Sequence, residues 1–346
     1  MEQVKWAVLG AGGIARRRTI PEGIIPADNA ALVAVCDPQC GAEVAQEFGV
    51  TCCESYEQLL EQDSDAVYIA TPTFLHRDQV VQAASAGKHA LCEKPLAVDT
   101  GPAQEMVDAC EKAGVNLGVG LMMRYHACHQ EAQKLIREDV IGKPVFGRAQ
   151  LSCWYPPIEG AWRQDPKRGG GGCLADLGVH CIDLLEMFFG RTRRVMAMTG
   201  NVVHPYDSED TATVLLEFEG GAKGVVDCLF NVPDESSLNR LELYGSGGSI
   251  LAEGTIGQGD PGTMTLRSCG TASGYESKQK RSGVGGVTIE PDQTNVYRAQ
   301  VQAFSHAIIM GDRPPVSGSD GLWNQRVLQA CYQSAKTGCA VEPGMA

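Results

Sequence analysis

An acid and a histidine stand four residues apart directly after a run of glycines, in Gly170-Gly171-Gly172-Cys173-Leu174-Ala175-Asp176-Leu177-Gly178-Val179-His180. A helix from Leu174 to Phe189 would put Asp176 and His180 one turn apart on one face. The glycines let backbone approach something closely where that helix begins. An Asp beside a His can handle a proton. The same residues also read as a helix N-terminus with a surface acid and a half-buried His. A second run, Gly10-Ala11-Gly12-Gly13-Ile14-Ala15, has the spacing G-x-G-x-x-A. The first glycine permits a tight turn, the second lets backbone reach a pyrophosphate, and the small third residue lets helix and strand pack closely. Asp37 follows about 20 residues on, where an acid accepts hydrogen bonds from adenosine ribose hydroxyls. A carboxylate there repels a 2′-phosphate, and Pro38-Gln39 supplies no cation. NAD is therefore expected rather than NADP. Arg16-Arg17-Arg18 is the one feature pulling toward a phosphate, and it reads best as a solvated first helical turn.

Strand and helix signals alternate through the first 120 or so residues. Val4–Leu9, Ala31–Asp37, Ala66–Ala70, His89–Cys92 and Asn116–Gly120 read as buried strands. Ile14–Ile20, Gln39–Phe48, Ser55–Gln62, Leu75–Ala86 and Thr100–Ala113 have helical patterning, with Ser55 and Asp99 or Thr100 as N-caps. Such alternation means a parallel, doubly wound sheet. The pattern changes near residue 122. A helix at Cys128–Arg137 leads to strands at Val145–Trp154, Val195–Val203, Thr211–Phe218, Ala222–Phe230 and Leu238–Tyr244, with Gly220-Gly221 as a hairpin signal. Residues 254–295 read as long loops with short strands, and Tyr297–Met310 and Leu322–Thr337 as closing helices. The expected fold is α/β: a Rossmann domain over 1–122, then an α+β domain over 123–346 with a large, mostly antiparallel sheet.

Two further segments lie where such a sheet binds ligands, at the carboxyl ends of its strands. Thr71-Pro72-Thr73-Phe74-Leu75-His76 follows one strand. Glu93-Lys94-Pro95 follows the next and points Lys94 toward the nicotinamide end; the alternative is an exposed loop lysine.

Taken in order, Gly10, Gly12, Gly13, Ile14 and Ala15, Cys36-Asp37, Thr71-Pro72 with His76, Glu93-Lys94-Pro95, Arg124-Tyr125-His126, Trp162-Arg163, and Gly170–Gly172 with Asp176, His180 and Asp183 resemble one family. It is the glucose–fructose oxidoreductase, inositol dehydrogenase and rhizopine-catabolism family of NAD(P)-dependent sugar dehydrogenases. The resemblance covers almost the whole chain and thins between 254 and 295. It implies that the second domain's sheet is open and makes subunit contacts, in a homo-oligomer (dimer or tetramer). It implies a catalytic group of Lys94, Asp176 and His180. It implies cofactor contacts from Gly10, Gly12, Gly13, Ile14, Asp37, Thr71, Pro72, His76, Glu93, Lys94, Trp162 and Arg163. Substrate hydroxyls would meet Lys94, Arg124, Asp176 and His180. The chain departs from the pattern at Ala127, where many relatives carry Pro, and its second-domain loops match no single substrate class.

Composition narrows the classes. Net charge is −13 over 346 residues, which argues against nucleic-acid or anionic-membrane partners. No stretch has the apolar length of a membrane span. Met1-Glu2-Gln3 runs straight into a strand, which leaves no room for a signal peptide, and a cytoplasmic location is expected. Fourteen cysteines lack zinc-ribbon spacing. Cys36, Cys92, Cys181 and Cys228 fall in apolar segments, as buried reduced thiols do. His126-Ala127-Cys128-His129 has no second ligand pair, so no metal is expected.

Oxidising a secondary alcohol takes a proton from O–H and passes a hydride to nicotinamide C4. A cationic Lys94 would stabilise the developing alkoxide. His180 is a natural base, and the choice between Lys94 and His180 as proton acceptor stays open. Asp176 would orient His180 or grip a neighbouring hydroxyl. The expected activity is oxidation of a secondary or anomeric hydroxyl of a sugar, glycoside or cyclic polyol, or the reverse. The alternatives are a glycosidase of the same fold using transient oxidation, a non-catalytic sugar-sensing regulator, and a reductase of an unrelated carbonyl or imine.

Overall fold

The computed structural model describes residues 2–258, 261–269, 275, 277 and 285–345. They form two compact units. The first comprises Met1–Met122, Asp165–Gly171 and Thr294–Gln325, and the second Met123–Gln164, Gly172–Gln293 and Arg326–Ala346.

The first unit is built on six parallel strands: β1 (Val4–Leu9), β2 (Ala30–Cys36), β3 (Thr51–Cys53), β4 (Ala66–Ile69), β5 (His89–Cys92) and β6 (Leu117–Val119). Their order is β3-β2-β1-β4-β5-β6. The order reverses between β1 and β4, which opens a crevice outside their carboxyl ends. Both flanking faces are covered, so β4 is buried at all four positions of Ala66-Val67-Tyr68-Ile69. Ser55 caps its helix by accepting from Gln58 N, and Asp99 caps Thr100–Ala113. β3 is absent from the sequence reading because three residues carry no periodicity. The first helix differs too. It is π-wound over Ala15–Ile24, with Pro21 inside. Pro21 has no N–H to give, and the wider i→i+5 turn takes it up. Trp6, at the centre of the core, donates from Nε1 to Ser305 Oγ at 3.1 Å and packs with Ile20, Ile24 and Phe304.

The second unit holds an eight-stranded sheet: β7 (Pro144–Ser152), β8 (Thr192–Gly200), β9 (Thr211–Phe218), β10 (Lys223–Leu229), β11 (Arg240–Gly245), β12 (Gly248–Glu253), β13 (Thr263–Ser268) and β14 (Val287–Ile289). The order is β14-β13-β12-β11-β7-β10-β9-β8, antiparallel except for β7 with β10. β8 ends at Gly200, not Val203, because the Asp210 carboxylate gathers the amides of Val202, Val203 and His204. β12, not anticipated, completes a hairpin with β11. Helix Val179–Phe189 lies against β7 and β10, and helix Ala127–Arg137 packs on that helix. A Cβ added to Gly147 would sit 2.3 Å from the Phe189 ring. The last helix runs Gly318–Thr337, starting earlier than expected because Asp320 accepts from Ser317 N. Within 254–295, residues 259–260, 270–274, 276 and 278–284 lie outside the described residues. Among the described residues no helix is long and apolar enough to cross a membrane. Cys36, Cys92, Cys181 and Cys228 are buried, and the structure contains no disulfide among the described residues.

Candidate active site

In the first unit the glycine loop is pinned on both sides. Gly10 has φ +81°, and a Cβ there would stand 2.8 Å from Ala70 C and Thr71 N. Its own N–H bonds Cys36 O at 2.9 Å. Around Gly13 a Cβ would meet nothing within 4 Å, so backbone faces open space where the motif places a pyrophosphate. Ile14 then opens the helix. Asp37 is set in advance by main-chain donors: Gly12 N at 3.1 Å on Oδ2, and Gln39 N and Cys40 N at 2.9 and 3.1 Å on Oδ1. Of the three arginines, Arg16 is held by Glu43 and Glu47, Arg18 by Glu22, and Arg17 by Gly13 O. The open space at Gly13 and the preset carboxylate fit a dinucleotide with a free ribose diol.

Thr71 and Pro72 leave β4, and Thr73–Leu75 turn into the helix that starts at His76. Thr71 Oγ1 donates to Gln79. His76 is 1% exposed. Its Nε2 lies 2.9 Å from Thr71 O, and its Nδ1 lies 3.2 Å from both Pro95 O and Leu96 O. The ring thus clasps the two loops together. Glu93 accepts from Tyr68 Oη, which accepts in turn from Thr19 Oγ1 at 3.0 Å. Burial and the adjacent Glu93 carboxylate push the Tyr68 hydroxyl well up, so it stays a donor. Lys94 follows, joined to Pro95 by a cis peptide.

In the second unit the helix predicted over 174–189 is present but not uniform. Leu174–Gly178 is π-wound and Val179–Phe189 is α. A π segment of this kind often marks a functional site. Asp176 lies in the wide part and His180, buried, in the first α turn. Asp176 Oδ1 accepts from Arg163 Nε at 3.2 Å. Arg163 stacks over Trp162, with Cζ 4.1 Å from the ring centroid. Burial works against its charge, but Asp176 and Tyr155 outweigh that, and its pKa rises. Arg124 forks onto Asp183, with Nε at 3.0 and 2.8 Å and Nη2 at 2.6 Å, and Asp183 is 1% exposed. The structure thus groups Arg124 with Asp183 and Trp162-Arg163 with Asp176.

The His126–His129 segment is structural. His126 Nδ1 accepts from Cys128 N and caps Ala127–Arg137. His129 spans from Met123 O at 2.8 Å to Thr255 Oγ1 at 3.1 Å, and burial lowers its pKa to about 3. Among the described residues no group of three or more His, Cys, Asp or Glu is placed to hold a metal.

One residue with no local motif joins this site. Glu209 accepts from Gly172 N at 2.9 Å, Leu174 N at 3.0 Å and Tyr332 Oη at 2.9 Å.

Residues 4–121 match the family model described as oxidoreductase family, NAD-binding Rossmann fold, and 129–251 match the GFO/IDH/MocA C-terminal domain. The chain is 31% identical over 344 residues to a 1,5-anhydro-D-fructose reductase of Ensifer adhaerens, covering 98% of each. It is 32% identical over 339 residues to D-xylose 1-dehydrogenase (NADP(+)) 2 of Haloferax volcanii, covering 97% of this chain and 99% of that one. Among solved structures, an aldose-aldose oxidoreductase from Caulobacter crescentus complexed with glycerol superposes with a TM-score of 0.87. It shares 26% identity, covering 99% of this chain and 100% of that one.

Proposed function

The chain belongs to the Gfo/Idh/MocA family of oxidoreductases, and on that premise we propose that it oxidises a secondary or anomeric hydroxyl of a sugar, glycoside or cyclic polyol with NAD, or runs the reverse reduction. The observation that carries the substrate class is the polar set on one helix of the second unit. Asp176, His180 and Asp183 share that helix, and two of them hold guanidinium groups. A site that hydrogen-bonds several hydroxyls rejects analogues lacking them. The relatives named for 1,5-anhydro-D-fructose and D-xylose support the same class. NAD is favoured over NADP because the Asp37 carboxylate, fixed by Gly12 N, would accept from a ribose diol and repel a 2′-phosphate, while Arg16 and Arg18 are already held by carboxylates.

When bound, NAD supplies the carbon that accepts the hydride. Gly10, Gly12, Gly13, Ile14, Asp37, Thr71 and Pro72 would hold it, with His76 clasping the loops and Glu93, Trp162 and Arg163 adding contacts. Lys94 stabilises the alkoxide as the hydroxyl proton departs. Either His180 receives that proton beside a charged Lys94, or an uncharged Lys94 receives it and becomes the cation that holds the alkoxide. Asp176 and Arg124 orient neighbouring hydroxyls. The same reading gives a homodimer or homotetramer through the outer face of the eight-stranded sheet, where Met196 and Leu215 are exposed opposite each other; light scattering tests it.

The deciding experiment screens sugars, glycosides and inositols with NAD and NADP by absorbance of the reduced cofactor. On the substrate found, Lys94→Ala should lose about a hundredfold or more in kcat while keeping its melting temperature and much of its NAD affinity. Turnover within a few-fold of wild type would remove Lys94 from the chemistry.

A further inference from the structure

We propose that Glu209 is a positioning residue for the proton-handling helix, acting as a remote cap that sets where Asp176 and His180 stand. The helix has no cap of its own. Its N-cap position, Cys173, makes no side-chain capping bond. Glu209 supplies the missing acceptor. One carboxylate oxygen takes Gly172 N, the other takes Leu174 N and Tyr332 Oη, and the Glu209 carbonyl takes Cys173 N at 3.0 Å. Three consecutive amides at the helix start are thus satisfied by one residue 35 to 37 positions away. The side chain belongs to a residue only 9% exposed. A carboxylate at a helix start also meets the positive end of the helix dipole.

The fit leaves no slack. A Cβ on Gly172 would fall 2.0 Å from Glu209 O. The glycine run that precedes Asp176 is therefore moulded to Glu209. Asp176 N bonds Gly172 O at 3.0 Å, so a displacement of Gly172 passes directly to Asp176. Tyr332, brought in by the last helix, holds the carboxylate from its far side. A misplacement of about 1 Å at a reacting group is enough to cost about a hundredfold in rate.

The consequence for turnover rests on the reading of Asp176 and His180 given above; the capping role does not. Glu209→Gln keeps the shape but turns an amide NH2 toward a backbone N–H. In the full-length protein with NAD added, amide exchange at Gly172 and Leu174 should quicken at least about tenfold, and kcat should fall about ten- to a hundredfold. Calorimetric NAD affinity should stay within a few-fold of wild type, so the loss falls on kcat rather than on cofactor binding. Tyr332→Phe removes one neutral donor. It should show the same pattern at roughly a third of the logarithmic effect, and it carries the test if Glu209→Gln does not fold. Unchanged exchange at Gly172 and Leu174 would overturn the capping role whether or not a substrate is known. Quickened exchange with kcat and KM both unmoved would overturn the positioning role and leave the oxidoreductase reading intact. A wild-type enzyme inert toward every sugar and polyol would instead sink that reading, and the exchange data would still decide the cap.

Discussion

Two sets of polar side chains, one in each unit, are held by different means. In the first unit, Asp37 and His76 are held by main-chain groups. Asp37 takes three backbone N–H donors, and His76 sits among three carbonyl oxygens. In the second unit, Asp183, Asp176 and Glu209 each take a donor from the side chain of another segment. Arg124 and Asp183 are 59 residues apart, Arg163 and Asp176 are 13 apart, and Tyr332 and Glu209 are 123 apart. Main-chain partners arrive with a loop's own conformation. Side-chain pairs exist only when the fold is complete, and each leaves a charge or donor stranded when its partner is lost. The first arrangement should therefore tolerate substitution, and the second should not.

The sharpest break in that contrast comes from the two glycine runs. Gly172→Ala drives a Cβ to within 2.0 Å of backbone. It should cost more than about 3 kcal/mol in chemical denaturation. Gly13→Ala meets nothing within 4 Å. It should stay within about 1 kcal/mol of wild type in stability while weakening NAD binding. Equal stability losses at the two positions would erase the distinction.

Deleting an acid from the second unit should come next. Asp183→Ala removes the carboxylate fork on the Arg124 guanidinium, whose side chain is 22% exposed. Removing one member of a fully buried pair costs about 3–5 kcal/mol, and partial exposure lowers that to about 2–3 kcal/mol here. A loss under about 0.5 kcal/mol by thermal denaturation would mean that solvent replaces Asp183 freely.

The same division explains what could be read in advance. Gly10–Ala15, Asp37 and strands β1, β2, β4 and β5 are legible because their partners lie close in sequence or in an unbroken apolar run. The spacing of Asp176 and His180 predicted a helix, and a helix is there. Its π-wound start was hidden, since nothing local marks the cap that Glu209 provides. Glu209 and Asp210 are neighbours of the same charge and look alike on paper. One gathers the amides at Gly172 and Leu174, the other those of Val202 to His204. Only the fold distinguishes them. Asp176 was expected to orient His180 or grip a hydroxyl, and its bond to Arg163 crosses the glycine run, beyond the reach of helical periodicity.

His129 places a titrating group inside the second unit's side-chain scheme. In the folded state burial keeps it neutral down to about pH 3, against an ordinary value of 6.5. Between those values the unfolded chain binds more protons, so stability is full above about 6.5 and falls as the pH drops below it. At pH 5 the loss from this residue is about 2 kcal/mol relative to neutral pH. His126, its ring 4.7 Å away, is also shifted down by burial and adds in the same direction. His129→Gln can still bond Met123 O and Thr255 Oγ1. It should show a shallower fall in denaturation midpoint from pH 7 to pH 5. Parallel curves for the two proteins would assign the acid sensitivity elsewhere.

A small effect on the fold, and the cleanest test of the first unit, is Asp37→Ala. Three N–H groups lose their acceptor, but Asp37 is half-buried and water can reach the site. The stability cost should be about 1 kcal/mol, as for loss of a helix cap. That is less than the cost at Asp183, although both substitutions delete an acid that accepts at least three hydrogen bonds. Cofactor binding should respond more. NAD loses charge-assisted bonds to its ribose diol, and its affinity should fall about tenfold. NADP loses a repulsion, so the preference for NAD should narrow from both sides. Calorimetry with both cofactors on wild type and variant separates these terms. Tighter binding of NADP than NAD by the wild type would show that Arg17, the one arginine of the three not held by a carboxylate here, outweighs Asp37 in choosing the cofactor.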